Sequence, residues 1–329
     1  MRHTHLDREN MVQIPFLDYL LGGQSFSVPG DIPPLAGKTF LITGANSGLG
    51  KQSVLELSRV PSPPSLIWVC ARGEARAQAT IDEIDKAVPG AAGRLRPLDL
   101  DLTSFDSIKA AARRVLAESE RLDVLMLNAG IMASPAGATK EGYEIQFGTN
   151  HVGHALLVKL LRPILTKTAA QEEDVRVVVL SSAAVALAPW GGIKFESLKS
   201  EQRDMSTWTR YGQSKLANIL FTVEMSKRFP EFKTIAVHPG VVATNLAAPF
   251  ASNMMMLSKP ALWVFNLFTR RVDDGVRNQL WAAVSPDAKS GMFYFPVGNA
   301  NYMKGQAKDE ELAKKLWEWT EKELEGHEV

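Results

Sequence analysis

Short apolar runs alternate with stretches of helical periodicity from residue 37 onward, and this alternation narrows the available folds more than any other feature of the chain. Residues 39–43 (TFLIT), 66–71 (LIWVCA), 94–98, 124–127 and 175–180 (VRVVVL) read as short strands, and 234–238 and 291–295 continue the series. Helical stretches fall between them at 51–59, 75–88, 105–118, 154–165 and 213–229. In the second of these, Ile81, Ile84 and Val88 recur at helix spacing. A near-continuous apolar strand is one buried on both faces, as in a parallel sheet covered by helices. Strands alternating with helices build βαβ units, so the expected fold is α/β, a doubly wound parallel sheet with helices on both faces. A last amphipathic stretch, 310–324, sets Leu312, Leu316, Trp319 and Leu324 roughly on one face. No repeat or linker divides the chain. The expected organisation is an N-terminal extension over 1–35, rich in breakers and carrying a short apolar helix at 14–21, followed by a single domain over 36–329.

Composition excludes several classes. Lys+Arg number 37 against 36 Asp+Glu, a net charge of +1. A nucleic-acid binder would usually be basic, so no nucleic-acid partner is expected. A single cysteine, Cys70, excludes an intramolecular disulfide and a cysteine-built zinc site, and suits a reducing, cytoplasmic compartment. The polar start MRHTHLDREN lacks the apolar stretch of a signal peptide. No run approaches the roughly 18 apolar residues of a membrane span, so no transmembrane segment is expected. The most apolar stretch, 254–268 (MMMLSKPALWVFNLF), is interrupted by Lys259, Pro260 and Asn266. It reads as a lid or core helix, with membrane-surface contact or a partner interface as alternatives. His151, His154 and His238 have no carboxylate at ligand spacing, so no metal is expected.

The first strand–helix junction is Thr43-Gly44-Ala45-Asn46-Ser47-Gly48-Leu49-Gly50. Glycines there permit a tight turn and close backbone approach to a pyrophosphate. The helix N-terminus that follows offers free N–H groups and the positive end of its dipole. This is the context of a Rossmann dinucleotide site, although the spacing departs from G-x-G-x-x-G. The second junction reads Cys70-Ala71-Arg72-Gly73, without the acid that NAD-preferring sites place there for the ribose 2′-hydroxyl. Arg72 offers instead a forked, charged contact to a 2′-phosphate, with Asn46 and Ser47 as further donors, which favours NADP(H). The third feature is Tyr211-Gly212-Gln213-Ser214-Lys215. Residues four apart share a helix face. A free tyrosine, with a pKa of about 10, is a poor acid or base at neutral pH, and a nearby ammonium lowers that value. Such a pair suits proton exchange with a carbinol oxygen. Taken singly, each motif also has a plain reading: an empty glycine-rich turn, an exposed loop arginine, a chance spacing.

TGxxxGxG at 43–50, Asn128-Ala129-Gly130 after the fourth strand and YxxxK at 211–215 together resemble the short-chain dehydrogenase/reductase family, over about residues 37–320. TGANSGLGK, the Ala71-Arg72 ending, NHVGH and YGQSKLANILFT are similar to its retinol-dehydrogenase-like and WW-domain-oxidoreductase-like branch, without WW domains. The resemblance implies Tyr211 as general acid in reduction and base in oxidation, and Lys215 lowering its pKa and holding the nicotinamide ribose. It implies a serine at the end of the fifth strand bonding the substrate oxygen. Ser181 and Ser182 both stand there, and the family pattern favours Ser182. Asn150 would hold a water linking Lys215 to solvent, or else bond the backbone at a helix kink.

For the cofactor, the resemblance adds Gly44, Gly48, Leu49 and Gly50 in the loop, and Asp101 and Leu102 at adenine, with Asp99 as the competing acid. Asn128, Ala129 and Gly130 would line the central ribose side. Pro239, Gly240, Val242 and Thr244 would lie beneath the nicotinamide, the last two at its carboxamide. The implied activity is NADP(H)-dependent reduction of a ketone or aldehyde in a hydrophobic small molecule of secondary or lipid-like metabolism. Alternatives are oxidation of a retinol- or steroid-like alcohol with NAD(P)+, an isomerising or dehydrating step, and a non-catalytic binding protein. Substrate recognition falls to an insert at 183–210 and a lid at 245–273, with Met254, Met255, Met256 and Trp263 at the mouth. The family often dimerises through two long helices, which leaves a homo-oligomer open.

Overall fold

A computed structural model describes residues 23–171, 174–240 and 272–329. Seven strands form one parallel sheet: β1 (Thr39–Ile42), β2 (Leu66–Ala71), β3 (Leu95–Asp99), β4 (Val124–Leu127), β5 (Arg176–Leu180), β6 (Lys233–Val237) and β7 (Phe293–Tyr294). Their order is β3-β2-β1-β4-β5-β6-β7. The chain winds outward from β1 to β3, then returns to the other side of β1 to lay down β4. That reversal opens a crevice at the carboxyl ends of β1 and β4, where open α/β sheets bind ligands. The α/β doubly wound expectation holds.

Strand alternation divides the core. Phe40 and Ile42 face one layer, with Val54 and Leu57 of α1 (Gly48–Arg59), Ile81 and Ile84 of α2 (Glu74–Ala87) and Trp281 of α6 (Val272–Val284). Leu41 faces the other, with Ile108 of α3 (Phe105–Glu118), Leu156 of α4 (Gly153–Ala169), Leu220 of α5 (Thr207–Arg228) and Leu316 of α7 (Glu310–Glu323). Each such fully buried side chain contributes roughly 1.5–3 kcal/mol. One sheet shared by two layers makes a single domain. Residues 24–35, read as part of an extension, join it: Gln24 N–H donates to Val297 O at 2.7 Å, and Phe26, Ile32 and Leu35 enter the layer of α1. The helix expected at 14–21 and the stretch 254–268 lie outside the described residues.

Several boundaries differ from expectation, each for a local reason. Helix α5 begins at Thr207 rather than 213 because Ser206 caps it, accepting from Thr209 N–H at 3.1 Å. Tyr211 and Lys215 therefore sit inside a helix, and the turn over Ala183–Leu187 packs against Gly212 between them. Helix α4 is preceded by a π-helical turn, Gly148–Val152, whose extra residue re-aims Asn150. The buried stripe of α7 is Ala313, Leu316, Trp317 and Thr320, with Leu312 and Trp319 only partly buried. Trp317 stacks on Phe221 of α5 with centroids 5.2 Å apart, which fixes that rotation. Asn278 of α6 donates to His238 O at 2.8 Å and Tyr294 O at 2.9 Å, tying α6 to the ends of β6 and β7. In the 183–210 insert, Ile193 and Leu198 are buried while Trp190 is 92% exposed. Among the described residues no helix is long and apolar enough to cross a membrane.

Two buried histidines serve this packing. His151 Nε2 meets Thr320 Oγ1 at 3.0 Å, and His154 bridges Thr43 Oγ1 at 2.9 Å and Asn150 O at 3.1 Å. Burial holds their pKa values down, from 6.5 to about 3 for His151 and about 4 for His154. The unfolded chain takes up these protons below about pH 6.5 and the folded chain does not, so stability falls as pH drops from there toward 4. Denaturant midpoints should show a loss of up to roughly 3 kcal/mol per histidine at pH 4 relative to pH 7. His154→Gln, which cannot take the proton, should flatten part of that slope; an unchanged slope would show the imidazole to be protonated in the fold.

Candidate active site

Thr43, at the end of β1, is fully buried and works as a junction. Its carbonyl accepts from Asn128 Nδ2 at 2.8 Å, and its hydroxyl accepts from Ala129 N–H at 2.9 Å. The loop that follows is also tied to β2, through Ala45 N–H on Cys70 O at 2.8 Å. Ser47 stands at the N-cap of α1 without a side-chain cap, so the first N–H groups of the helix stay open to the cleft. Gly50 faces inward instead. A Cβ there would lie 2.4 Å from Gly44 O and 2.5 Å from Asn128 Nδ2, so glycine is required for α1 to sit this close to the loop.

A cleft of about 680 Å³ runs over the carboxyl ends of the strands. Gly44, Asn46, Ser47, Gly48, Leu49, Arg72, Asp101, Leu102, Asn128, Ala129, Gly130, Tyr211, Lys215 and Pro239 line it, as the sequence suggested. Asn150, Ser182, Gly50 and Gly240 are not among the lining residues. Val242, Thr244, Met254, Met255, Met256 and Trp263 lie outside the described residues. The sequence reading missed the wall that follows β4, with Ile131, Met132, Ser134, Pro135 and Ala136, and also Ile145 and Thr149. Nothing in that wall carries a chemical motif. It missed Arg76 as well, whose signal was available: four residues beyond Arg72, on the first turn of α2, it enters the cleft from the same side. Arg72 and Arg76 are exposed and form no salt bridge among the described residues. Asp101 closes a tight turn, its Oδ1 accepting from Thr103 N–H at 2.9 Å and Thr103 Oγ1 at 2.7 Å, and Ser104 caps α3 behind it.

At the other end of the cleft, Tyr211 and Lys215 project from α5. Both are buried. Lys215 Nζ lies 5.8 Å from the centre of the Tyr211 ring and donates to Leu180 O at 3.1 Å. Burial pushes the Tyr211 phenol up to about 12, partly offset by a hydrogen bond from Ser182 that favours the phenolate. Burial likewise pulls Lys215 down to about 8. The lowering of Tyr211 by Lys215 expected from the sequence does not appear: burial raises the phenol, and Ser182 is the group that lowers it. The adjacent serines separate by direction. Ser181 donates to Lys215 O at 2.7 Å, whereas Ser182 faces the phenol and accepts from Ala184 N–H at 3.1 Å. Asn150 is fully buried. Its Oδ1 accepts from Ile131 N–H at 2.8 Å, and its Nδ2 donates to Ile131 O at 3.0 Å and Ser214 Oγ at 2.9 Å. Among the described residues no group of three or more His, Cys, Asp and Glu side chains is placed to hold a metal.

A family model described as short chain dehydrogenase matches residues 38–254. Retinol dehydrogenase 14 of Mus musculus is 38% identical over 309 residues, covering 89% of this chain and 87% of that protein. Among solved structures, an uncharacterised protein from Mycobacterium paratuberculosis aligns with a TM-score of 0.67 at 32% identity, over 91% of this chain and 97% of that one. The NADPH-bound carbonyl reductase from chicken fatty liver aligns with a TM-score of 0.58 at 26% identity, over 79% of this chain and 96% of its own. Sheet order, cleft and these likenesses agree: the chain belongs to the short-chain dehydrogenase/reductase family of oxidoreductases and is retinol-dehydrogenase-like within it.

Proposed function

We propose that this protein is an NADP(H)-dependent carbonyl reductase acting on a hydrophobic ketone or aldehyde. The observation that carries the reading is one cleft with two unlike ends: Tyr211, bonded by Ser182, and Lys215 line one, and Arg72 and Arg76 line the other without salt-bridge partners among the described residues. The donor set fits a dinucleotide phosphate. The uncapped N-terminus of α1 takes the pyrophosphate, and the two guanidiniums take the 2′-phosphate. The likeness to a carbonyl reductase described as NADPH-bound supports this. A nicotinamide held there would supply the hydride for a carbonyl reduction.

The chain's own residues handle the oxygen. A phenol held near pKa 12 is protonated at neutral pH, which makes Tyr211 a proton donor to the oxygen of the forming alcohol. Ser182 orients the phenol and hydrogen-bonds the same oxygen. Lys215 steadies the phenolate left behind. The side chain of Asn150 is fully engaged with Ile131 and Ser214, so it positions the cleft wall against α5. This positioning at the helix kink is compatible with the proton relay expected from the sequence. The apolar wall with Ile131, Met132, Pro135 and Ala136 suits an apolar substrate. The reverse reaction, oxidation of a retinoid- or steroid-like alcohol, is the second reading, favoured by the 38% identity to a retinol dehydrogenase.

Tyr211→Phe should abolish turnover on a panel of hydrophobic ketones while NADPH binding stays within about threefold by calorimetry, since only the proton donor is lost. Near-normal turnover would sink the assignment. Arg72→Ala should weaken NADPH binding about 10- to 100-fold and leave NADH nearly unchanged, the effect of losing a charge-assisted contact. Equal losses for both nucleotides would place the phosphate elsewhere. Lys215→Met should cut turnover and yet stabilise the fold. The folded protein carries a buried ammonium whose pKa falls from 10.5 to about 8, so below pH 8 it bears the whole desolvation penalty. Leu180 O keeps its bond from Asn218 at 3.0 Å. The denaturant midpoint at pH 7 should rise by roughly 1–3 kcal/mol, and a fall would contradict the buried-charge account.

A further inference from the structure

Asp99 stands beside the proposed phosphate end of the cleft, and the proton-transfer chemistry gives it no task. It is the last residue of β3 and lies in register with Ala71 of β2, one residue before Arg72. Its Oδ1 accepts a hydrogen bond from the Gly73 amide at 2.7 Å. Gly73 has φ +95°, in the left-handed region, where a side chain would be strained. There the chain turns from β2 into α2, and Gly73 is the N-cap of that helix without any side-chain cap. Asp99 therefore supplies a side-chain anchor of this turn from the neighbouring strand.

The anchor sets a carboxylate beside the end of the cleft proposed to take a phosphate. Asp99 is exposed and forms no salt bridge among the described residues. The other acids nearby are engaged elsewhere: Glu74 pairs with Arg114 at 2.9 Å, and Asp101 is bound within its own turn by Thr103. Charges within a Debye length of about 8–10 Å act on each other with little screening.

We propose that Asp99 is a specificity-determining residue of the cofactor cleft. Its hydrogen bond to Gly73 fixes the turn that presents Arg72, and its negative charge holds down the affinity of that turn for a 2′-phosphate. The chain therefore separates NADPH from NADH less sharply than Arg72 and Arg76 alone would. The inference rests on the placement of the 2′-phosphate at Arg72.

The test is a calorimetric titration of the full chain with NADPH and with NADH, for the unaltered protein, Asp99→Asn, Asp99→Ala and Arg72→Ala. Asn keeps the acceptor for Gly73 and removes the charge. Asp99→Asn should tighten NADPH about 3- to 10-fold, more at low salt than at high, and change NADH less than about twofold. Asp99→Ala removes charge and anchor together, so its NADPH-to-NADH preference should fall below that of Asp99→Asn. NADH affinity serves as the control for folding in every variant. A ratio within twofold of the unaltered protein in Asp99→Asn overturns the charge effect, and equal ratios in the Asn and Ala variants overturn the anchoring. If Arg72→Ala leaves NADPH binding intact while Asp99→Asn still shifts the ratio, the placement at Arg72 fails, the presenting role of Asp99 falls with it, and only its charge effect on the phosphate stands. Binding of neither nucleotide overturns both.

Discussion

Asn128 donates its side-chain amide to Thr43 O at 2.8 Å, and Thr43 Oγ1 accepts the amide of Ala129 at 2.9 Å. These bonds cross the gap between β1 and β4, where the winding of the sheet reverses and the two strand ends part. Buried backbone groups at such a gap have no neighbouring strand to satisfy them, and leaving them bare would cost about 1–3 kcal/mol each. Their satisfaction by Asn128 and Thr43 sets how far the gap opens. It also sets where the glycine loop turns, where the uncapped end of α1 points and where the wall after β4 begins. Gln279 of α6 extends the tie, donating to Ser53 Oγ of α1 at 2.5 Å. The glycine-loop end of the cleft is thus part of the same hydrogen-bonded frame as the sheet.

The Tyr211 end of the cleft follows from the opposite condition, a shortage of water. Tyr211 and Lys215 are both desolvated, and desolvation moves an acid and a base in contrary directions. The phenol rises to about 12 and the ammonium falls to about 8, so on raising the pH the lysine gives up its proton first. At neutral pH the tyrosine is a neutral donor beside a cation that bonds Leu180 O. The arrangement is electrostatically costly, and the two core layers offset that cost. The fold places this strain on α5, the helix that α7 backs with Trp317 and whose neighbour His151 is bonded by Thr320.

Much of this was legible in the sequence, and the reason is physical. Every strand of the inner sheet is buried on both faces, so each appears as an apolar run whatever its partners. The glycine loop, Arg72, Tyr211 and Lys215 stood out in the sequence because their chemistry admits few substitutes, and the structure brings them to one cleft. Helix starts were less so: Ser206 looks like many other serines until it is seen capping Thr209. Ser181 and Ser182 are indistinguishable as residue types and differ only in the direction of their hydroxyls. The wall after β4 was invisible, since its apolar and small side chains act through shape. Asn150 was found, but its occupation by Ile131 and Ser214 depends on a π-helical turn that no spacing rule announces.

The hydrogen bond from Asn278 to His238 O has a consequence for how this protein changes over generations. His238 precedes the stretch 239–271 and Asn278 follows it, so the bond staples the two ends of that stretch together at its base. The bond holds the spacing of β6, α6 and β7 directly. A lineage that keeps the Asn278 amide therefore keeps that spacing, and with it the strand and helix ends around the cleft.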